Sequence, residues 1–214
     1  MAKKNNSMSH WIIEASKHGI DLSSFHSDKL QDRQRLRASG LPCWDEIKIP
    51  YSCFDGKNNE LGQFLARYNL FIVKAIPKTS KLPRESKRGV ASLEQCLNFL
   101  ADKINPENTN LYSVVLSEWR PTKYGGIIIS DLERAKIDIG EQLDELEHGL
   151  AVPTTGVWDG RSMKYTTNDS ELKRIMWKTF RYVRALRGYF EFVITGENET
   201  KFVDYKLNEK YLSQ

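Results

Sequence analysis

The densest apolar run in the chain is Leu-Phe-Ile-Val-Lys-Ala-Ile at 70–76, which has the length and β-branched content of a buried strand. A short helix is predicted ahead of it, from Asn59 to Tyr68. The stretch from Pro77 to Gly89 shows no apolar periodicity and reads as a loop. Ser92 then stands where an N-cap belongs, and Leu93, Leu97, Leu100, Ala101 and Ile104 keep helical spacing behind it. Three strand candidates follow at 111–119, 125–130 and 135–140, separated by turn residues as in an antiparallel meander. From Ser170 to Arg187 the set Leu172, Ile175, Met176, Thr179, Val183 and Leu186 forms one apolar stripe, so a long helix packed on a sheet is expected there. Gly188 ends it, and 189–195 with 200–206 make a hairpin around Gly196-Glu197-Asn198-Glu199.

The opening of the chain is different in character. Residues 1–7 are polar, Trp11, Ile12, Ala15 and Ile20 sketch a short amphipathic helix, and a polar helix is expected over 27–38. Gly40, Pro42 and Pro50 then break the chain before the first dense apolar segment. The expected organisation is therefore a helical appendage at 1–40, a first lobe at 41–109 and a second lobe at 110–214.

Composition narrows the classes. With 214 residues and 40% hydrophobic content, the chain can enclose a core, either as one domain or as two small lobes sharing a cleft. Charged residues make up 28% and are mixed in sign, so a net charge of +4 describes a mildly basic surface rather than a polybasic nucleic-acid binder. Cys43, Cys53 and Cys96 are odd in number and lack CxxC spacing, which speaks against a disulfide framework or a zinc site and for a reducing, cytoplasmic setting. No apolar run approaches the length needed to span a bilayer, and the start lacks a secretory h-region.

Two clusters carry candidate chemistry. Lys74 sits inside the apolar strand, and Lys78, Lys81, Arg84, Lys87 and Arg88 follow in the loop, with Glu85 as the nearby acid. A lysine in an apolar strand calls for an anion, unless it points outward on an alternating strand. The basic loop is suited to phosphate, or is a solvated run of charge. Glu191 and Asp204 stand in the middles of the last two strands and can face each other across the hairpin, where like charges call for a cation such as Mg²⁺. Asn208 is placed to add an oxygen. The bland alternative is a half-solvated sheet with Glu191 outward, and Glu118, near the end of its strand, is equally ambiguous. His10, His18, His26 and His148 have no metal-pair spacing, and no Walker, GxGxxG or nucleophile-elbow motif is present. Trp44, Trp119, Trp158 and Trp177 read first as core or cleft lining, and Cys96 lies on the apolar face of its helix.

The order of these pieces resembles the ATP-grasp superfamily, with some likeness to the nucleotide-binding part of phosphoenolpyruvate synthase and pyruvate phosphate dikinase. The likeness covers about residues 41–208. It implies an α+β fold of two small lobes with antiparallel sheets enclosing a nucleotide cleft. It implies ATP phosphates on Lys74 in FIVKAI, a covering loop at 77–90, a hinge strand at LYSVVLSEW with Glu118 toward ribose, and metal on Glu191, Asp204 and Asn208. The covering loop is richer in Lys and Arg than the family's, and Asp204 replaces the more usual glutamate. The expected function is ATP and Mg²⁺ binding in a ligase or phosphotransferase with an unidentified acceptor, with a partner protein or a second copy supplying what a reduced N-terminal lobe lacks. The alternatives are a nucleic-acid module using the basic loop and the basic side of the 170–187 helix, and a degenerate ATP-grasp scaffold.

Overall fold

The computed structural model describes residues 29–54, 57–79, 81–147 and 149–206. The helix expected around Trp11, the four histidines and Asn208 lie outside the described residues. The chain is α+β with two antiparallel sheets, and its described residues divide into two compact units, Trp44–Arg120 and a second built from 29–43 together with 121–206.

In the Trp44–Arg120 unit, strands β1 (Glu46–Pro50), β2 (Phe71–Pro77), β3 (Glu85–Val90) and β4 (Tyr112–Glu118) form a sheet of order β1-β4-β2-β3. Helix α2 (Asn59–Arg67) is capped by Asn58, whose side chain accepts from the Leu61 N–H, and helix α3 (Leu93–Lys103) by Ser92, which accepts from Gln95 N–H. Gln95 in turn accepts from the Ala91 N–H at 3.0 Å, a reciprocal arrangement close to a capping box. Each such cap stabilises by about 1 kcal/mol. Leu61 and Phe64 of α2, Cys96, Phe99 and Leu100 of α3, and Phe71, Val73, Ala75, Val114 and Leu116 of the sheet form one core. The inward face of α3 is thus Cys96, Phe99 and Leu100; Leu97, expected on the stripe, is exposed.

Two expectations are corrected here. The supposed loop at 77–89 contains β3, an edge strand paired with β2 through Val73↔Lys87, Lys74↔Ser86 and Ala75↔Glu85. Its sequence Glu-Ser-Lys-Arg-Gly-Val buries only Val90, so backbone pairing forms it without any apolar alternation. The strand at 112–118 is not part of a meander with the two that follow. It inserts between β1 and β2, pairing Glu46↔Ser117 and Val73↔Leu116, and the boundary between units falls at 120/121 rather than 109/110.

In the other unit, helix α1 (Lys29–Ala38) precedes a six-stranded sheet of order β10-β9-β5-β6-β7-β8. Its strands are β5 (Thr122–Ser130), β6 (Ala135–Gly140), β7 (Thr154–Trp158), β8 (Met163–Tyr165), β9 (Gly188–Thr195) and β10 (Thr200–Lys206), with helix α4 at Leu143–Glu147 and helix α5 at Ser170–Val183. Asp169 caps α5, accepting from the N–H groups of Glu171 and Leu172. Ile175, Met176, Phe180 and Val183 of α5 pack on Ile128, Ile137, Ile139, Phe190, Phe192, Ile194 and Phe202. Leu36 of α1 and Leu41 belong to this same core, and the Phe202 N–H donates to the Pro42 carbonyl at 2.8 Å. Residues 29–43 are therefore integral to this unit, not an appendage.

Gly125 and Gly126 in β5 serve the sheet's two faces. A Cβ on Gly125 would meet the Leu143 backbone nitrogen of α4 at 2.5 Å, and one on Gly126 would meet Cζ of Phe192 at 2.2 Å. Only the absence of a side chain lets α4 approach one face and the Phe192 ring cross the other.

Candidate functional site

Alternation decides what Lys74 does. Phe71, Val73 and Ala75 enter the core, so Ile72, Lys74 and Ile76 occupy the opposite face of β2. There the Lys74 ammonium donates to Ser117 Oγ at 2.8 Å, and that hydroxyl donates to Glu46 Oε2 at 3.0 Å. The chain of bonds crosses β2, β4 and β1 on one sheet face: Glu46 is the cross-strand partner of Ser117, while Lys74, two residues along from Ser117's other partner Ile72, reaches it diagonally. Lys74 is thus off the core, as the simple alternating reading has it, yet its charge is held by polar groups of the same sheet face rather than released to solvent.

The basic residues after it sit on the β2–β3 hairpin. Lys78, Lys81 and Arg84 are exposed in the connection, and Lys87 and Arg88 are exposed on β3. Lys78 Nζ donates to the Asn110 carbonyl at 2.8 Å. Glu118 pairs with Phe71 and so lies on the face opposite Ser117. It is 2% exposed, with Arg120 Nη2 at 2.7 Å from Oε1 and the Asp45 N–H donating to Oε2 at 3.5 Å. The structure brings the five loop cations onto one hairpin, and it puts Lys74 and Glu118 on opposite faces of their sheet.

In the other unit, Asp204 is the direct cross-strand partner of Glu191. A register shift between Phe202 and Asp204 makes this so. Phe202 pairs with Phe192 and Tyr205 with Phe190, both on the face packed by α5, and the extra residue Val203 resets the phase so that Asp204 and Lys206 take the other face. Tyr205 stacks on Phe190 with centroids 4.6 Å apart. Asp204 Oδ1 accepts from the Tyr205 N–H at 2.9 Å, and Lys206 Nζ stands 3.4 Å from Oδ2. The Lys206 ammonium also lies 5.6 Å from the ring centroid of Tyr189, its cross-strand partner.

The register continues across the sheet as Asp204–Glu191–Ile127–Asp138–Thr155. Asp138, which the sequence reading passed over, is buried, accepts from Thr155 Oγ1 at 2.6 Å and has Lys136 Nζ at 3.2 Å. Lys206 was passed over too. The signal for both is local: a carboxylate and a lysine two residues apart on a strand, in Lys136-Ile-Asp138 and in Asp204-Tyr-Lys206, share a face and can pair.

Glu191 and Asp204 are hard oxygen donors of the kind Mg²⁺ takes when phosphates complete its shell. Among the described residues no group of three or more His, Cys, Asp or Glu side chains is placed to hold a metal. Cys96 offers no nucleophile, because burial pushes its thiol up to about 12. Among the described residues no helix is long and apolar enough to cross a membrane.

No protein-family model and no curated protein matches this chain. Its structure is similar to that of N5-carboxyaminoimidazole synthase from Aspergillus clavatus in complex with ADP and 5-aminoimidazole ribonucleotide, at 15% identity over 85% of this chain and 45% of that one, with a TM-score of 0.47. It is similar also to D-alanine-D-alanine ligase from Coxiella burnetii (15% identity, 83% and 46% coverage, TM-score 0.43) and to the ATP-grasp ligase PsnB complexed with a minimal precursor (14%, 83% and 51%, 0.40). The chain spans about half the length of these proteins. At such scores the likeness carries no weight for function.

Proposed function

We propose that this chain binds ATP with Mg²⁺, as part of an ATP-dependent ligase or phosphotransferase whose acceptor is a separate molecule. The observation that carries the reading is the cross-strand pairing of Glu191 with Asp204 on the sheet face turned away from the α5 core. Two carboxylates opposed there offer hard oxygen donors, and a metal ion bridging to phosphate oxygens is a guest that such a pair suits.

In the Trp44–Arg120 unit, Lys74 is the residue to neutralise phosphate charge. Its ammonium donates to Ser117 on the sheet face away from the core, and it can exchange a protein acceptor for a phosphate oxygen, since a lysine is a mobile donor of three N–H groups. Lys78, Lys81, Arg84, Lys87 and Arg88 add positive charge along the hairpin and would draw in and cover the phosphates; Glu118, buried on the opposite sheet face beside Arg120, is left out of this reading. Asn208 would join Glu191 and Asp204 at the metal, which would supply charge neutralisation at the transferred phosphoryl group. Transfer of that group needs alignment and electrostatic stabilisation more than a protein nucleophile. None of the three cysteines is in a disulfide, in keeping with a cytoplasmic setting, and a partner protein or a second copy would provide the remaining acceptor contacts. A likeness to the nucleotide-binding part of phosphoenolpyruvate synthase belongs to this reading, with the acceptor unidentified.

Calorimetric titration with ATP, with and without Mg²⁺, tests the reading on the wild type, Lys74→Ala and Glu191→Ala. Saturable Mg²⁺-dependent binding that both substitutions remove is the expected result. Absence of binding, or binding unchanged in the variants, overturns it, and steep salt-dependent binding of RNA or DNA in its place would establish a nucleic-acid module.

A further inference from the structure

A pair of carboxylates opposed across a hairpin needs a positive charge even when no metal is bound, and this chain contains one. Lys206 lies two residues beyond Asp204 on the same strand and the same face, with its ammonium 3.4 Å from Asp204 Oδ2. The side chains of both are 15% exposed, so the contact is shielded well beyond what a surface ion pair enjoys. Its position is fixed on three sides. The bulge at Val203 sets the face, Tyr189 lies directly across the strand with its ring under the ammonium, and Glu191 is the next residue of β9 on that face. Arrival of a divalent cation at Asp204 therefore requires the ammonium to leave, and phosphate oxygens are the partner that would take it.

We infer that Lys206 is the resident counter-ion of the Glu191–Asp204 pair, which a metal must displace, so that Mg²⁺ enters together with the nucleotide and not ahead of it. This rests on the metal role proposed above for the two carboxylates. It also accounts for the arrangement by which one Asp204 oxygen accepts from a backbone N–H and the other stands beside a lysine: Lys206 offsets one of the two negative charges of the pair, which lowers the repulsion across the hairpin before any metal arrives. A lysine has the reach to exchange a carboxylate for a phosphate without any change in the backbone.

The test uses Mn²⁺ alone as the probe, followed by electron paramagnetic resonance on the nucleotide-free protein. Wild type should bind weakly. Lys206→Met, which keeps the stem over Tyr189 and removes the charge, should tighten Mn²⁺ by about tenfold or more, as loss of a like charge at contact distance implies. Adding Asp204→Asn to Lys206→Met should reverse that gain. Lys206→Arg keeps the charge and should leave Mn²⁺ binding as weak as in the wild type. Tight binding to wild type, or no change in Lys206→Met with its circular dichroism intact, overturns the inference. Should no variant bind ATP in parallel calorimetry, the nucleotide reading falls by itself, while the Mn²⁺ series still decides whether Lys206 occupies the cation position.

Discussion

Gly126→Ala is the sharpest probe of why β5 carries a Gly-Gly pair. A methyl group at this position would lie 2.2 Å from Cζ and 2.7 Å from Cε1 of Phe192, and 2.5 Å from the Asp138 carbonyl oxygen. Ordinary carbon contacts lie at about 3.5–4.0 Å, so more than an ångström of relief is required. The ring cannot supply it freely, because Phe192 is fully buried and packs against Phe202 at 6.3 Å between centroids. The carbonyl belongs to β6, which pairs with β5 on one side and β7 on the other. Overpacking of this kind costs about 1–3 kcal/mol, and a backbone obstacle puts this site at the top of that range. At about 2–4 °C per kcal/mol for a chain of this size, the melting temperature should fall by about 6–12 °C. Gly196→Ala is the control, since a methyl group there meets nothing within 4 Å, and it should stay within about 0.5 kcal/mol of wild type. Thermal melts followed by circular dichroism give the comparison. A second arm places Gly126→Ala in a Phe192→Ala background, where its cost should shrink as the ring is gone. A Gly126→Ala melt within about 2 °C of wild type refutes the packing argument.

The other predictions address separate features. Ser117→Ala removes the hydroxyl linking Lys74 to Glu46 and should cost about 1–3 kcal/mol in urea unfolding, the range for losing a partner of a charged group; no loss would show that the row of bonds is incidental. Asp159 accepts from the Ser162 and Arg161 N–H groups, and these bonds lower its carboxyl to about 2. Its folded value is depressed, so its contribution is present above about pH 4 and is lost as pH falls toward 2; Asp159→Ala should narrow the drop in melting temperature across that window. Cys53 should label in the native protein while Cys96, fully buried with its thiol at about 12, should label only on unfolding, as mass spectrometry would show. Deleting Val203 should leave the hairpin folded with Asp204 still opposite Glu191, whereas deleting Val193, where β9 has no bulge, should turn residues to the wrong face and abolish the cooperative melt.

What the sequence made legible tracks how local each constraint is. Helix α3 and its Ser92 cap were readable because a cap and a stripe lie within a few residues of each other, and the same holds for α5. The hairpin pairing Glu191 with Asp204 was readable because four turn residues bound it. Strand β3 was not, since Glu-Ser-Lys-Arg-Gly-Val is an edge strand whose formation depends on backbone bonds to β2 and on no side-chain pattern. The strands Glu46–Pro50 and Thr154–Trp158 were missed for a related reason: each is five residues long, with proline ending one and Gly156 interrupting the other. The membership of β4 was misread because its place between β1 and β2 is set by pairings across tens of residues, and its own run of apolar residues fits either sheet. Among candidate site residues, Lys74 came out of its strand context, but the Ser117–Glu46 row that holds it depends on strand order and was invisible.

The face on which the charges of β10 appear is decided by two aromatic rings. Phe202 and Tyr205 are three residues apart, a separation that would place them on opposite faces of a regular strand. Both nevertheless pack into the α5 core, Phe202 opposite Phe192 and Tyr205 stacked on Phe190. Burying two rings of this size stabilises by several kcal/mol, far more than a bulge costs, so the strand takes the bulge. The consequence falls on the residues between and after them: Asp204 and Lys206 are carried to the face of Glu191, where without the bulge both would have been driven into the apolar core. The same face presents Asp138 with Lys136 two strands away in register, again with acid and lysine neutralising each other. Charge on β10 is therefore placed by core packing, and on β10 and β6 the acid is met by a lysine of its own strand. A ligand that engages Glu191 and Asp204 must compete with Lys206 whatever its identity, and the strength of that competition is set by the aromatic pairs beneath.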